Sequence, residues 1–258
     1  MRIAWKLGVA ALMATACARA PEALQGPPHV AASQGTAESP NPVAAPRTQL
    51  EIARIDDSTD VFPGLAVETI PRRGGIAVFS EYVPLGDGAA REHQFARLDL
   101  SDGESREAAI RRFRAWLETT VRLSERAPPD ARIALADVQE VDRHGSVTLV
   151  ALRSFVIVGA PILRTEDVLE AVATRSPDDG HAYVVLTLSP RGAESLETAT
   201  DAWLGRRIAI MIDGHVESAP VIRSKISSGS VSITIGAGDS PTRMAEARKL
   251  ARGLAVRH

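Results

Sequence analysis

Apolar and polar positions alternate from Gly75 to Val83, with Ile76, Val78 and Tyr82 among the apolar members, and this period of two predicts a strand. A polar stretch, Ser101 to Ser105, comes before a different rhythm. Ile110, Phe113, Trp116, Leu117 and Val121 recur at steps of three and four, which places them on one face of an amphipathic helix. Arg111, Arg112, Arg114 and Glu118 fall on the other face and read as a solvated surface. Pro128-Pro129-Asp130 ends the helix. Two β-rich runs follow, Arg132 to Val141 and Ser146 to Val158, joined by Asp142-Arg143-His144-Gly145 in the manner of a hairpin. Residues 50–154 are thus expected to form an α+β unit with the order strand, helix, strand, strand.

In residues 155–258 Thr165 is placed to cap a short helix whose first turn holds Glu166 and Asp167, acids suited to the positive end of a helix dipole. Tyr183 to Leu188 predicts a strand, and Ser189-Pro190 opens a helix running to about Trp203. Ala193, Leu196, Thr200 and Trp203 share one face of it, so Trp203 is expected in the core. Two apolar runs then flank Asp213-Gly214, a dipeptide fitted to a type I′ hairpin because both central positions need positive φ. A third strand, Ser230 to Ile235, and a last helix from Ser240-Pro241 complete the order β-α-β-β-β-α. The fold class expected is α+β, with small antiparallel-rich sheets packed with helices. Proline cannot donate to a central ladder, so Ser218-Ala219-Pro220 is expected at an edge or bulge. An edge there would accept an extended peptide through main-chain bonds, with Lys225 as a neighbouring contact.

The N-terminus has a separate character. Arg2 and Lys6 precede an apolar stretch from Leu7 to Met13, and small residues, Ala14-Thr15-Ala16, follow it, which is a signal-peptide pattern. The stretch is shorter than the roughly 20 residues a membrane-spanning helix needs. The next residue is Cys17, the one cysteine of the chain, and Ala14 to Cys17 resembles the lipobox of bacterial lipoproteins. That resemblance implies cleavage and acylation at Cys17, and Ala18 after it points to the outer membrane of a Gram-negative host. From Ala18 to Gln49 the chain is rich in Pro, Ala and Ser, has no aromatic residue, and is expected to act as a disordered tether.

Composition narrows the partners. With a formal net charge of -2 and 4% aromatic residues, there is no basic stripe interleaved with stacking rings, so nucleic acid is not expected. His93, His144, His181 and His215 have no metal-ligand spacing, and no metal or other cofactor is expected. Asp213, His215 and Ser218 lie on one continuous hairpin, where their side chains cannot converge into a triad, and no glycine elbow exposes a nucleophile. No catalytic residue is assigned, and the chain is read as a binding module.

A longer pattern carries more information: Gly205, Arg206 and Arg207 before an apolar strand, then Asp213-Gly214, Val216, Ser218-Ala219-Pro220, Ile222, Ile226, Gly229-Ser230-Val231 and Ile233. This resembles the head part of the first periplasmic domain of the SecD family, subunits of the bacterial protein-export machinery. The likeness reaches back through Tyr183 to Leu188 and Gly192-Ala193, and covers roughly 155–256. It implies a periplasmic surface that meets emerging polypeptide. SecD continues from this region into membrane helices with proton-coupling acids, and no segment after residue 17 is long and apolar enough for such a helix, so the motor action is not expected here. The expectation is a lipid-anchored periplasmic module that binds unfolded or emerging polypeptide; the alternative is an adaptor that docks one envelope partner.

Overall fold

The structure is a computed structural model that describes residues 48–84, 89–121, 128–176, 180–234 and 240–254. The leader, Cys17 and the tether up to residue 47 lie outside the described residues. The elements run β1 (Leu50–Ile55), β2 (Ile76–Pro84), β3 (Ala90–Asp99), α1 (Arg106–Thr120), β4 (Arg132–Val141), β5 (Val147–Arg164), a single 3-10 turn (Thr165–Asp167), β6 (Val168–Arg175), β7 (Ala182–Leu188), α2 (Pro190–Ala202), β8 (Ile208–Ile212), β9 (His215–Ser218), β10 (Ser230–Thr234) and α3 (Ser240–Leu254). The class is α+β.

The larger sheet has the order β1-β8-β9-β4-β5-β3-β2, and β1 also pairs with β5, so β1, β8, β9, β4 and β5 close into a small barrel. Its pairs are antiparallel except β4 with β9. A ring of so few strands has a narrow interior, and the inward positions show it: Ala53, Ala134, Ala136 and Ala209 leave room for Phe155, Ile157 and Met211. The alternate residues face outward. Leu50, Ile52, Ile208 and Ile210 pack under the second sheet, whereas Leu135, Leu152 and Val156 pack under α1. Both sides of β8 are therefore covered, which is why it reads as an unbroken apolar run.

Helix α1 starts at Ser105, whose side chain accepts the Ala108 N–H at 3.2 Å, and it seats Ala109, Phe113 and Leu117 on the sheet. The second sheet has the order β10-β7-β6. Val184, Leu186, Val231 and Ile233 turn its inner face onto α2, α3 and the barrel. Gly192 in α2 allows this approach, because a Cβ there would stand 2.9 Å from the Cβ of Asp167.

Several expectations change. Residues 90–99 form β3, although Arg91, Glu92, His93 and Gln94 show no apolar alternation; β3 is held by its pairing with β2 along its length. The helix expected after Thr165 is one 3-10 turn leading into β6, because the Thr165 hydroxyl accepts the Leu50 N–H at 2.7 Å and the β-prone run that follows pairs with β7. The boundary drawn between 154 and 155 falls inside β5, and the barrel draws strands from both sides of it. Of the edge or bulge expected at Ser218-Ala219-Pro220, the structure has a bulge, since the β8–β9 register shifts between Val216 and Ser218, and the edge is closed. Strand β9 lies between β8 and β4, Ser218 and Pro220 are buried, and the Pro220 carbonyl accepts the Ile208 N–H.

Candidate functional site

Most residues of the Gly205–Ile233 pattern shape the backbone and fill the core. Asp213 and Gly214 have φ of 50° and 79°, as the two central positions of a type I′ turn demand. The Asp213 carboxylate accepts the Gln49 N–H at 2.8 Å, while its own N–H donates to the Gln49 carbonyl, so the turn clips onto the start of β1. Val216 points into the barrel, and Ile222, Ile226, Val231 and Ile233 join the core beneath the second sheet. Trp203 is half-buried at the end of α2 and donates its indole N–H to the Arg207 carbonyl at 3.2 Å.

Asp213, His215 and Ser218 do not form a relay. His215 Nδ1 lies 3.0 Å from the Leu135 carbonyl, Asp213 is engaged with Gln49, and the buried Ser218 hydroxyl has no protein partner. Lys225 is exposed and pairs with Glu197 at 2.8 Å, beside a shallow groove lined by Glu194, Thr198, Asp201 and Ala202. Among the described residues no cluster of three His, Cys, Asp or Glu side chains is placed to hold a metal ion.

Arg207 differs from the rest of the pattern, because it enters a buried charge cluster. In β1, β5 and β8 the inward face continues by steps of two from Ile55 to Asp57, from Phe155 back to Arg153, and from Ala209 back to Arg207. Three charged groups thus meet at one end of the barrel, and the β2–β3 hairpin adds Glu81 and His93, which face each other in register. Arg207 holds Asp57 with both prongs of its guanidinium at 2.8 and 2.5 Å, and reaches Glu81 at 2.9 Å. Arg153 holds Glu81 at 2.6 and 3.1 Å. The Arg153 side chain is 1% exposed, with its guanidinium 4.0 Å from the Phe95 ring centroid and 4.4 Å from that of Phe155.

The electrostatics follow from that packing. Burial works to raise the Glu81 carboxyl, but Arg153 and Arg207 outweigh it and hold the pKa down to about 2. The His93 pKa is lowered too, but here burial is the cause: it favours the neutral ring, and Asp57 at 3.8 Å only partly offsets this. Two guanidiniums thus balance two carboxylates beside a neutral imidazole. The cluster ties the segment after β1, the β2–β3 hairpin, β5 and β8 into one joint. A cavity of about 160 Å³ lies next to it, lined by Asp57, Ser58, Thr59, His93 and Gln94 among others.

The sequence reading missed this joint, although a signal was present. Arg153 stands alone in the apolar run Leu149 to Val158, and a single charge in a strand covered on both sides must be paired.

Comparison with known proteins bears on the same region. The family described as the SecDF P1 head subdomain matches residues 144–255. The protein translocase subunit SecD of Desulfurispirillum indicum is 40% identical over 80 residues, which is 31% of this chain and 16% of that protein. The protein translocase subunit SecDF of Thermus thermophilus is 40% identical over 76 residues, or 30% of this chain and 10% of that protein. The chain therefore spans a sixth or less of the length of these relatives. A solved structure described as "Structure and function of a membrane component SecDF that enhances protein export" shares 22% identity with a TM-score of 0.38, covering 81% of this chain and 62% of that one. The family match starts within the β4–β5 turn and takes in β5 through α3, including Arg207 and both strands of the Asp213-Gly214 hairpin. Over residues 144–255 this chain is thus similar to the head subdomain of the SecD family.

Proposed function

We propose that this chain is an exported envelope protein, anchored by a lipid on Cys17, whose SecD-type head binds unfolded or emerging polypeptide and assists protein export or envelope maturation. Residues 1–17 hold the leader and, at its end, the acylated Cys17 that remains after cleavage, 18–49 serve as the tether, and the folded part stands on the periplasmic side. The head works as a binding module without catalysis of its own. The observation that carries this reading is the match of residues 144–255 to the SecDF P1 head, together with relatives named as protein translocase subunits. It is supported by the signal-peptide pattern and Cys17 in the sequence.

A photo-crosslinking side chain placed at the exposed Lys225 is expected to trap secretory polypeptides of many sequences in living cells. Recovery of one fixed envelope protein instead would replace the reading with an adaptor role. Cys17→Ser is expected to abolish incorporation of labelled palmitate and to release the protein from the membrane fraction; labelling that persists in the variant would remove the anchor from the proposal.

A further inference from the structure

Closing the Ser218–Pro220 edge leaves another one open. In the three-stranded sheet β7 is central, and β6 and β10 are the edges. Strand β10 has five residues, whereas β6 has eight, without a proline or lysine to blunt it. Its irregularity lies at the start, between Val168 and Glu170, and from Glu170 onward it keeps regular register with β7. Leu169 and Val172 are 48% and 47% exposed. Glu170, Val172 and Thr174 share the outer face with Tyr183 and Val185 of β7, the face turned away from the core. Main-chain groups of residues 169–174 pair with β7 alone among the described residues, so the far side of β6 offers an unmatched ladder.

We propose that the outer edge of β6 is where the head takes an extended segment of nonnative polypeptide, adding it as a fourth antiparallel strand with an apolar residue opposite Val172 and a basic residue opposite Glu170. This rests on the polypeptide-binding reading above and gives it a surface. Main-chain bonds supply the affinity and tolerate varied sequences, while alternate side chains supply a preference. Charge decides against a second copy of this chain. In an antiparallel pair related by a two-fold axis, opposed residues lie on the same sheet face, so Glu170 would meet Val172, Thr174 or Ser176, never Arg175 on the other face. A single strand edge is also a small part of the roughly 1,200 Å² that a stable interface buries. A short, weak and sequence-tolerant contact suits a segment that must be released.

The test uses the full chain and a synthetic ten-residue peptide of alternating valine and threonine, with one lysine set to oppose Glu170. Amide hydrogen exchange is expected to slow at residues 169–174 when the peptide is added. Val172→Lys, at an exposed position that leaves the melting curve unchanged, is expected to weaken binding at least tenfold. Glu170→Lys is expected to reverse the preference, so that a glutamate peptide binds better than the lysine one. N-methylation of alternate peptide residues removes the ladder donors and is expected to abolish binding. Equal binding of the methylated peptide, or binding untouched by Val172→Lys, would overturn the β6 site while leaving polypeptide binding elsewhere on the head intact. Failure of the chain to bind any unfolded secretory protein would overturn both. Protection of β6 that grows with protein concentration in the absence of peptide would assign the edge to a second copy and overturn the proposal.

Discussion

The closed end of the barrel and the three-stranded sheet use the same strand geometry for opposite ends. In the barrel, pairing of β1 with both β5 and β8 removes the edges, and the inward face ends in ion pairs covered by the β2–β3 hairpin. The second sheet has one apolar face on α2 and α3, no comparable charge cluster in its core among the described residues, and β6 and β10 as its edges. A frame held by directional, buried pairs resists distortion, whereas an open sheet keeps main-chain groups available. On the proposal made above, rigidity and capacity to bind belong to different places in one small protein.

The comparison breaks most severely at the joint. Arg207→Ala leaves Asp57 buried and half of the Glu81 pairing gone, and is expected to cost about 3–5 kcal/mol in urea unfolding. Arg206→Ala, one residue away at an exposed side chain whose guanidinium lies over Trp203, is expected to cost far less. Equal losses at the two positions would mean that the buried cluster is not what holds the barrel end.

Acid tests the same joint without mutation. The Glu81 pKa is lowered on folding from about 4.5 to about 2, so its contribution is present above the unfolded value and is lost as pH falls from about 5 toward 2. That amounts to about 3 kcal/mol, to be read as the difference in pH dependence between the wild-type chain and Glu81→Gln. His93 also has a lowered pKa, and below about pH 6.5 the unfolded chain takes a proton that the folded chain refuses. Stability should therefore begin to decline already between pH 7 and 5, and His93→Gln should flatten that part of the profile.

Under the second sheet the smaller effects belong to hydrogen bonds. The buried Thr200 hydroxyl accepts the Ile226 N–H at 3.0 Å and donates to the Leu196 carbonyl at 2.8 Å. Thr200→Val keeps the shape but strands the Ile226 N–H, and is expected to cost about 1–3 kcal/mol in thermal unfolding. At the exposed end of the scale, Lys225→Ala removes solvent-facing ion pairs to Glu197 and Asp201 and is expected to leave Tm unchanged. A measurable shift there would show that the α2 surface contributes to the frame.

Elements with a strong local period were legible before any coordinates. The three- and four-residue recurrence of Phe113 and Leu117 became α1, Ser189-Pro190 opened α2, and Asp213-Gly214 lies in the turn between β8 and β9. Strand β3 was not legible, since Arg91 to Gln94 have no apolar alternation and are held in the strand by their partner. Strand β6 was hidden behind a capping signal at Thr165, which tertiary contact with Leu50 diverted into a 3-10 turn. The charge joint was legible only in part: a lone Arg153 in an apolar strand announces a buried pair, but nothing near it in sequence names Glu81 as the partner.

The sequence by itself determined the helices, the hairpin turns, the run of residues from Gly205 to Ile233 that resembles the SecD head, and the separate character of the first 17 residues, because each depends on neighbours within a few positions. Only the tertiary structure decided that the two halves share a barrel, that Ser218 and Pro220 are buried, that Arg207 closes on Asp57 and Glu81, and that β6 is the longer edge of the second sheet. Barrel closure and the Arg207 pairs depend on which strands meet across more than a hundred residues of chain, and pairing at that distance is set by how the apolar faces and the few buried charges satisfy one another all at once.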